Sequence, residues 1–299
     1  MSLFFRLLCA VAMTLLATRP AAANMVGKPQ TYVIRKEDVF VDIARKYDLG
    51  YNALRAANPT IDPWVPRVGT RIILPTAHIL PDAPHKGIVI NLSEERIYYY
   101  ASDKMVYTFP VGVVKEGLKM PRTPGRLVGK RAHPTWVPPP SVRKENPDLP
   151  RSIPPGPNNP LGDYALYANW PGIRLHGTNK PMGVGRRVSH GCIRLYPENI
   201  KWLFHHVKLG IPLAVVNQPV KLSWEPDGLY MEVNPRLQDA DAVEDNGQPP
   251  ALSGNDDFMN MAIAMVIKAQ KENGPGINWK QVQRIIRARD GIPHKITQN

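Results

Sequence analysis

Short stretches of alternating apolar and polar residues dominate the chain between residues 87 and 217. They are rich in β-branched and aromatic residues and are bounded by turn residues, which is the pattern of β-strands. The stretches are GIVINL, RIYYYA, MVYTFPVGVV, YALYA, GIRLHG and LAVVN. Together they predict an antiparallel, β-rich domain over residues 87–217.

Residues 28–76 carry a different pattern, which predicts a small module with the order strand, helix, helix, strand. The stretches TYVI and GTRIILP have the composition of short strands. Between them, apolar residues from Phe40 to Tyr47 recur at helical spacing, and YNALRAAN indicates a second short helix. The proline-containing residues 77–86 then predict a linker to the β-rich domain.

Residues 218–299 predict an extension that begins with two strands, VKLSW and GLYMEV, and ends in two helices, DFMNMAIAMVIKAQKENG and NWKQVQRIIRARDG. The acidic segment before the helices contains no lysine or arginine and few apolar residues, so it predicts a flexible linker. Inside the β-rich domain, the proline-rich loop between Lys115 and Leu161 includes Trp136. This loop predicts an ordered lid or the wall of a cleft.

Residues 1–23 have the layout of a secretory signal peptide. Arg6 precedes the apolar run LLCAVAMTLLA, and the small residues AAA offer a cleavage site before Asn24. The run is too short for a stable membrane span. The large residue Leu8 in front of Cys9 argues against a lipid anchor. We therefore expect the mature protein to be exported.

The mature chain is strongly basic. Cleavage removes Arg6 and Arg19 and lowers the formal charge from +13 to +11. Such a charge favours polyanions, among them an acidic cell wall; the alternative is that it only keeps the protein soluble. Export and the absence of a nucleic-acid-binding motif argue against nucleic acid as a partner.

Cleavage also leaves Cys192 as the single cysteine. In an oxidising compartment, a lone structural thiol is exposed to oxidation and provides no disulfide, which favours a chemical role. Two alternatives are a bridge to another molecule and an inert residue of the core.

A histidine on a separate strand is the predicted partner of this thiol. In IRLHG the strand alternation places Arg174 and His176 on one face, away from Ile173 and Leu175. A neighbouring imidazole lowers the pKa of a thiol and accepts its proton, so His176 is the candidate general base. His190 is a second candidate, but it is only two residues from Cys192.

The glycine in SHGC permits a tight turn and close approach of a substrate. The N–H groups of Gly191 and Cys192 are therefore candidates for an oxyanion hole. A zinc site built on His176, His190 and Cys192 is disfavoured, because one cysteine at this spacing fits no common zinc motif. We expect neither a metal nor another cofactor.

The N-terminal module resembles the LysM family of glycan-binding modules. The resemblance is carried by IARKYDLGYNALRAANP followed by VGTRIILP. It implies recognition of glycan strands that contain N-acetylglucosamine. Trp64 is either a platform for a sugar ring or a packing residue.

Residues 87–217 resemble the catalytic domain of the L,D-transpeptidases, also called the YkuD family. The motifs are RLHGTN and GVGRRVSHGCIRL, preceded by TPGR and GPNNPLGDYAL. The full layout is similar to the Gram-negative periplasmic branch that includes ErfK, YbiS, YcfS and YnhG. The resemblance implies a mainly β fold, a YkuD-like β-sandwich, together with the βααβ LysM module and the helical C-terminal extension. It also implies a periplasmic location.

The resemblance assigns roles to residues of this sequence. It implies that Cys192 is the nucleophile, that His176 is the general base, and that the Gly177 carbonyl orients the imidazole. We expect a further set of residues to bind substrate: Trp136, Arg187, Ser189, His190 and Arg194. Arg194 occupies a position that is asparagine in other branches, and a cation there suits an acidic group of a stem peptide.

The implied reaction is acyl transfer on peptidoglycan. Cys192 attacks the bond between diaminopimelate and the terminal D-alanine of a tetrapeptide stem, and the thioester passes to an amine. The amine of another diaminopimelate gives a cross-link, and a lysine of the major outer-membrane lipoprotein gives an anchor, toward which this domain layout leans. The alternatives are an L,D-carboxypeptidase-type hydrolase and a non-catalytic module that binds the wall.

Overall fold

The structure is a computed structural model that describes residues 24–102, 105–115, 120–189, 191–253, 256–270 and 274–298. The predicted signal peptide, residues 1–23, lies outside the described residues. Among the described residues, every helix is too short or too polar to cross a membrane.

The N-terminal module has the predicted order of strand, helix, helix and strand. Strands β2 (Gln30–Val33) and β3 (Arg71–Leu74) pair in antiparallel fashion, and a small apolar core lies between them and the two helices. Alternation along β3 buries Ile72 and Leu74, which face Phe40 and Leu54 of the helices. The helices are α1 (Phe40–Lys46) and α2 (Tyr51–Ala57), and the flanking strands β1 (Met25–Val26) and β4 (His78–Ile79) pair with each other outside the module.

The central region forms the large β-structure that the strand pattern predicts. Its elements are β5 (Gly87–Asn91), β6 (Arg96–Ser102), β7 (Met105–Pro110), β8 (Val113–Val114), β9 (Gly125–Ala132), α3 (Pro140–Glu145), β10 (Tyr164–Ala168), β11 (Arg174–His176), β12 (Arg187–Ser189), β13 (Ile193–Arg194), α4 (Pro197–His206) and β14 (Pro212–Val216). Eight strands form one curled sheet in the order β13-β11-β10-β9-β14-β5-β6-β7, and β8 pairs with β12. The main core lies against this sheet and is closed by α4.

Two pairings in this sheet differ from the antiparallel arrangement that the sequence predicted. Strand β5 runs parallel to β14, and β11 runs parallel to β13. Parallel neighbours need a crossover connection. Residues 177–192 provide it between β11 and β13, so this loop returns the chain to the edge of the sheet beside His176.

The C-terminal region combines a three-stranded sheet with helices. Its elements are β15 (Val220–Glu225), β16 (Gly228–Val233), α5 (Ala240–Asn246), α6 (Asp257–Ala269), α7 (Trp279–Ala288) and β17 (His294–Lys295). The apolar faces of α6 and α7 cover the sheet and form a separate core with Met231 and Ile296. The mainly β fold with a small βααβ module and C-terminal helices confirms the predicted fold class.

Two segments expected to be linkers are packed against the rest of the protein. His78 and Ile79, in the predicted linker 77–86, are buried and belong to β4. Part of the acidic segment, Ala240–Asn246, forms α5, because charges of this segment find partners elsewhere in the fold. Glu244 pairs with Arg186 at 2.9 Å, and Asp239 pairs with Arg289 at 3.4 Å.

A buried ionic cluster joins β4, the central sheet and the C-terminal sheet. Lys221 Nζ lies 2.9 Å from Glu94 Oε2 and 2.9 Å from Glu232 Oε1, and all three side chains are almost fully buried. His78 Nδ1 lies 3.1 Å from Glu94 Oε1. Although one histidine and two carboxylates could ligate a metal, the lysine ammonium already supplies the positive charge between the carboxylates. We therefore interpret the cluster as structural.

Candidate active site

Cys192 and His176 line one cleft at the edge of the large sheet. The cleft has a volume of about 520 Å³, and the loop between Trp136 and Ile153 forms one wall of it. Trp136 and Ile153 close the base of this loop through two reciprocal backbone hydrogen bonds of 2.8 Å. Consecutive prolines, Pro138–Pro140, contribute an apolar surface beside the thiol. Trp136 and Pro138–Pro140 thus form an ordered wall of the cleft.

His176 is held as a neutral imidazole with a defined tautomer. Its Nδ1 lies 2.5 Å from the carbonyl oxygen of Gly177. A carbonyl only accepts hydrogen bonds, so the hydrogen is assigned to Nδ1, and Nε2 is left as an acceptor. Burial lowers the pKa of His176 to about 4, because it outweighs the opposing effect of the carbonyls of Gly177 and Leu161.

The position of His176 follows from the pairing of its strand. Strand β11 lies between β10 and β13, and His176 faces Ala165 on one side and Arg194 on the other. The small alanine leaves room for the imidazole in the sheet. Gly177 is tightly packed, since a Cβ there would lie 3.1 Å from Ile200 and 3.3 Å from the Leu161 carbonyl.

A short turn presents Cys192 to the cleft. Gly191 has φ +125°, a conformation that favours glycine. The buried hydroxyl of Ser189 donates to the Cys192 carbonyl at 2.5 Å, and the Gly191 N–H donates to the same hydroxyl at 3.4 Å. The Cys192 thiol is partly exposed and donates to the Gly172 carbonyl at 3.6 Å. Ser189 therefore closes the turn from the cleft wall.

The structure brings most of the sequence-predicted site residues together. Trp136, Ser189 and Arg194 line the cleft with His176 and Cys192. His190 lies outside the described residues.

Arg187 does not reach this cleft. Its nearly buried side chain points to the C-terminal region, where Nη1 lies 3.9 Å from Asp241 Oδ2. The pairing of β12 with β8 is irregular between Arg187 and Ser189. Strand alternation therefore does not place both side chains on the same wall.

Sequence reasoning assigned no role to Arg174, which also lines the cleft. It lies two residues before His176 on β11, and its guanidinium lies 5.7 Å from the centre of the Tyr167 ring. The signal was present in the alternation of IRLHG, which places Arg174 on the face of His176. The charges of Arg194 and Arg174 both contribute to the lowered pKa of His176.

The N-terminal module holds one end of the segment that carries Cys192. The N–H groups of Tyr51 and Asn52, at the start of α2, donate to the carbonyls of Val184 at 3.4 Å and Gly185 at 3.1 Å. N–H groups in the first turn of a helix have no partner within that helix, and carbonyl groups of the loop before β12 accept hydrogen bonds from them. Gly185 has φ +74°, and a Cβ there would overlap the backbone of Gly50.

The same module holds the other end of the segment. The Tyr196 hydroxyl donates to the Leu49 carbonyl at 3.1 Å. Arg45 on α1 donates two hydrogen bonds, of 2.8 and 2.9 Å, to the carboxylate of Glu198 at the start of α4. The chain between Gly185 and Glu198, which includes the Cys192 turn, is thus anchored on both sides by the N-terminal module.

A lone thiol and a buried neutral imidazole in one cleft are typical of enzymes with a cysteine nucleophile. The sequence comparisons identify the family. Residues 85–220 match the L,D-transpeptidase catalytic domain family, YkuD, and residues 32–75 match the LysM domain family. Both resemblances expected from the sequence are thereby confirmed.

Several relatives align over most of their length. The chain is 35% identical to the L,D-transpeptidase YcfS of Escherichia coli strain K12, over 97% of this chain and 92% of the relative. It is 33% identical to ErfK/SrfK of Salmonella typhimurium, over 93% and 89%. It is 38% identical to YbiS of Escherichia coli strain K12, over 74% of each chain. The protein belongs to the L,D-transpeptidase family, and its two domain families imply that it binds peptidoglycan.

Proposed function

We propose that this enzyme transfers an acyl group through a thioester on Cys192, from the tetrapeptide stem of peptidoglycan to an amine. One observation carries the proposal: His176 is neutral, its Nδ1–H is fixed on the Gly177 carbonyl, and it shares a cleft with a partly exposed thiol. A neutral base next to a thiol can accept the proton that nucleophilic attack requires.

The proposed first half-reaction forms the thioester. The thiol hydrogen turns from the Gly172 carbonyl to His176 Nε2, which accepts the proton. The sulfur of Cys192 then attacks the carbonyl carbon of diaminopimelate. The backbone N–H of Cys192 and, once released from its 3.4 Å hydrogen bond to the Ser189 hydroxyl, that of Gly191 stabilise the tetrahedral oxyanion. The C–N bond to the terminal D-alanine then breaks, and His176 returns the proton to the departing amine.

The second half-reaction reverses these roles. An acceptor amine attacks the thioester carbon and gives its proton to His176, and the sulfur leaves as the thiolate. The proton then returns from His176 to Cys192. The products are a new amide and the enzyme in its initial state, so neither a metal nor a redox cofactor takes part in these steps.

We further propose that the protein works in the periplasm, where the LysM module holds it on glycan strands. The predicted signal peptide, the basic charge and the two domain families support this location. Binding of the glycan keeps stem peptides at a high local concentration near the cleft.

The test is incubation of the mature protein with sacculi rich in tetrapeptides, followed by mass analysis of the released muropeptides. We expect D-alanine release together with products joined through diaminopimelate. Addition of the outer-membrane lipoprotein tests its C-terminal lysine as an alternative acceptor. Cys192→Ala provides the control and should give neither product.

Two outcomes would contradict transfer. Tripeptide stems without any linked product would identify a hydrolase, for which water is the acceptor. Retention of the protein on sacculi without any change in the muropeptides would identify a binding module.

A further inference from the structure

Two guanidinium groups flank the imidazole in the cleft. Arg194 is the register partner of His176 on the neighbouring strand β13, and Arg174 precedes His176 by two residues on β11. Both side chains are partly buried and line the cleft together with Cys192. The cleft thus combines a nucleophile with two fixed positive charges.

Neither arginine has an acidic partner among the residues that the structure describes. Within the described ranges, no ion pair within 4 Å involves Arg174 or Arg194, and no aspartate or glutamate lines the cleft. Other partly buried arginines are paired; Arg186, for example, lies 2.9 Å from Glu244. Burying like charges side by side costs free energy unless an anion compensates them. A charge on Cys192 acts on Arg194, and an anionic ligand in the cleft would compensate both guanidinium groups.

We propose that Arg174 and Arg194 together bind the free carboxylate of the amino acid that leaves when the thioester forms. This inference rests on the proposed acyl transfer. In a donor that ends one residue after the scissile bond, three bonds separate the attacked carbonyl carbon from the terminal carboxylate carbon. These atoms are therefore less than about 4 Å apart. A carbonyl placed at the Cys192 sulfur brings that carboxylate into the part of the cleft that the two arginines line.

This subsite makes the length of the stem peptide a determinant of specificity. A tetrapeptide places a carboxylate at the arginines, because its last residue is the leaving group. A stem with one more residue places a neutral peptide bond there, and a C-terminal carboxamide places a neutral amide there. Both of these stems leave the two guanidinium groups without an anionic partner. A partly buried site therefore disfavours them strongly relative to the tetrapeptide.

The experiment compares two soluble donors that differ only at the C-terminus: the tetrapeptide with a free carboxylate and the same peptide with a carboxamide. We measure kcat/KM for release of D-alanine and of D-alaninamide with a fixed amine acceptor. The wild-type protein should prefer the carboxylate by about 10- to 100-fold, the range for a charge-assisted hydrogen bond.

Variants locate the preference in the two arginines. Arg174→Gln and Arg194→Gln should each reduce the ratio of the two kcat/KM values by about tenfold. Arg174→Lys should restore part of the ratio, since it keeps the charge without the bidentate geometry. Arg131→Gln, an exposed arginine on β9 that does not line the cleft, should keep the wild-type ratio.

A ratio near one in the wild-type protein would overturn the subsite. So would an equal loss for both donors in Arg174→Gln and Arg194→Gln, which would indicate a purely structural role. Binding of both peptides to Cys192→Ala, measured by calorimetry, separates this inference from the reaction itself. If Cys192→Ala binds the carboxylate peptide more tightly but the wild-type protein does not turn it over, the subsite is supported and acyl transfer is rejected. If the wild-type protein turns over both peptides without a preference, acyl transfer is supported and the subsite is rejected.

Discussion

Lowering the pH from about 7.5 to about 5.5 should leave the general base of this enzyme functional. Burial lowers the pKa of His176 to about 4, from an ordinary value of 6.5. At pH 5.5 an imidazole with a pKa of 4 is about 97% neutral, whereas one with a pKa of 6.5 is about 9% neutral. An ordinary histidine would therefore lose about tenfold in active base over this range, and His176 should lose almost none.

The assay is the initial rate of D-alanine release from a soluble tetrapeptide, measured as kcat/KM between about pH 4 and pH 8. We expect the acidic limb of the profile to fall near the pKa of His176 and not near 6.5. In Arg194→Gln the limb should move to higher pH, because the charge of Arg194 contributes to the lowered pKa of His176. Arg131→Gln should leave it in place, and tryptophan fluorescence would verify folding at each pH.

Two results would refute this account of the base. A wild-type acidic limb centred near pH 6.5 would mean that the imidazole titrates as it does in water. An unchanged limb in Arg194→Gln would mean that the guanidinium does not act on His176.

Three further outcomes follow from the packing around the site. Gly185→Ala should lower kcat on a soluble, glycan-free donor, because its Cβ would overlap the N-terminal module. Gly210→Ala, at φ +83° in open space, is the matched control. Equal effects of the two substitutions on kcat would contradict the clash. Lys221→Met should lower the free energy of unfolding in urea by about 3–5 kcal/mol, since it leaves two buried carboxylates unpaired. Lys36→Met, in a fully exposed pair, should change it little, and similar values would contradict that interpretation. Burial raises the pKa of Glu95 from 4.5 to about 8, so its contribution to stability is present below pH 4.5 and is lost as the pH rises through 8. In Glu95→Gln the melting temperature should depend less on pH over that window, and an unchanged dependence would show that another group is responsible.

Local patterns predicted the strands and the face of His176, because strand alternation depends only on neighbouring residues. They did not predict the environment of Arg187, whose partner Asp241 belongs to a distant segment. The acidic segment was misinterpreted for the same reason. Its composition shows the charges, but only the fold shows that Arg289 pairs with Asp239 and Arg186 with Glu244. Long-range pairing therefore limited the sequence predictions for both the fold and the site.

The docking of the N-terminal module changes how mutations in that module should be interpreted. A LysM module that acted only as a tether would tolerate any change that preserves glycan binding. Here the same module donates hydrogen bonds to the carbonyls of Val184 and Gly185 and to the carboxylate of Glu198. These residues lie on either side of the Cys192 turn in the sequence. The segment that carries the nucleophile is thus held partly by contacts from outside the catalytic domain. Loss of activity after a change at Arg45, whose side chain holds Glu198, therefore does not demonstrate loss of glycan binding. A glycan-free donor is needed to separate the two effects.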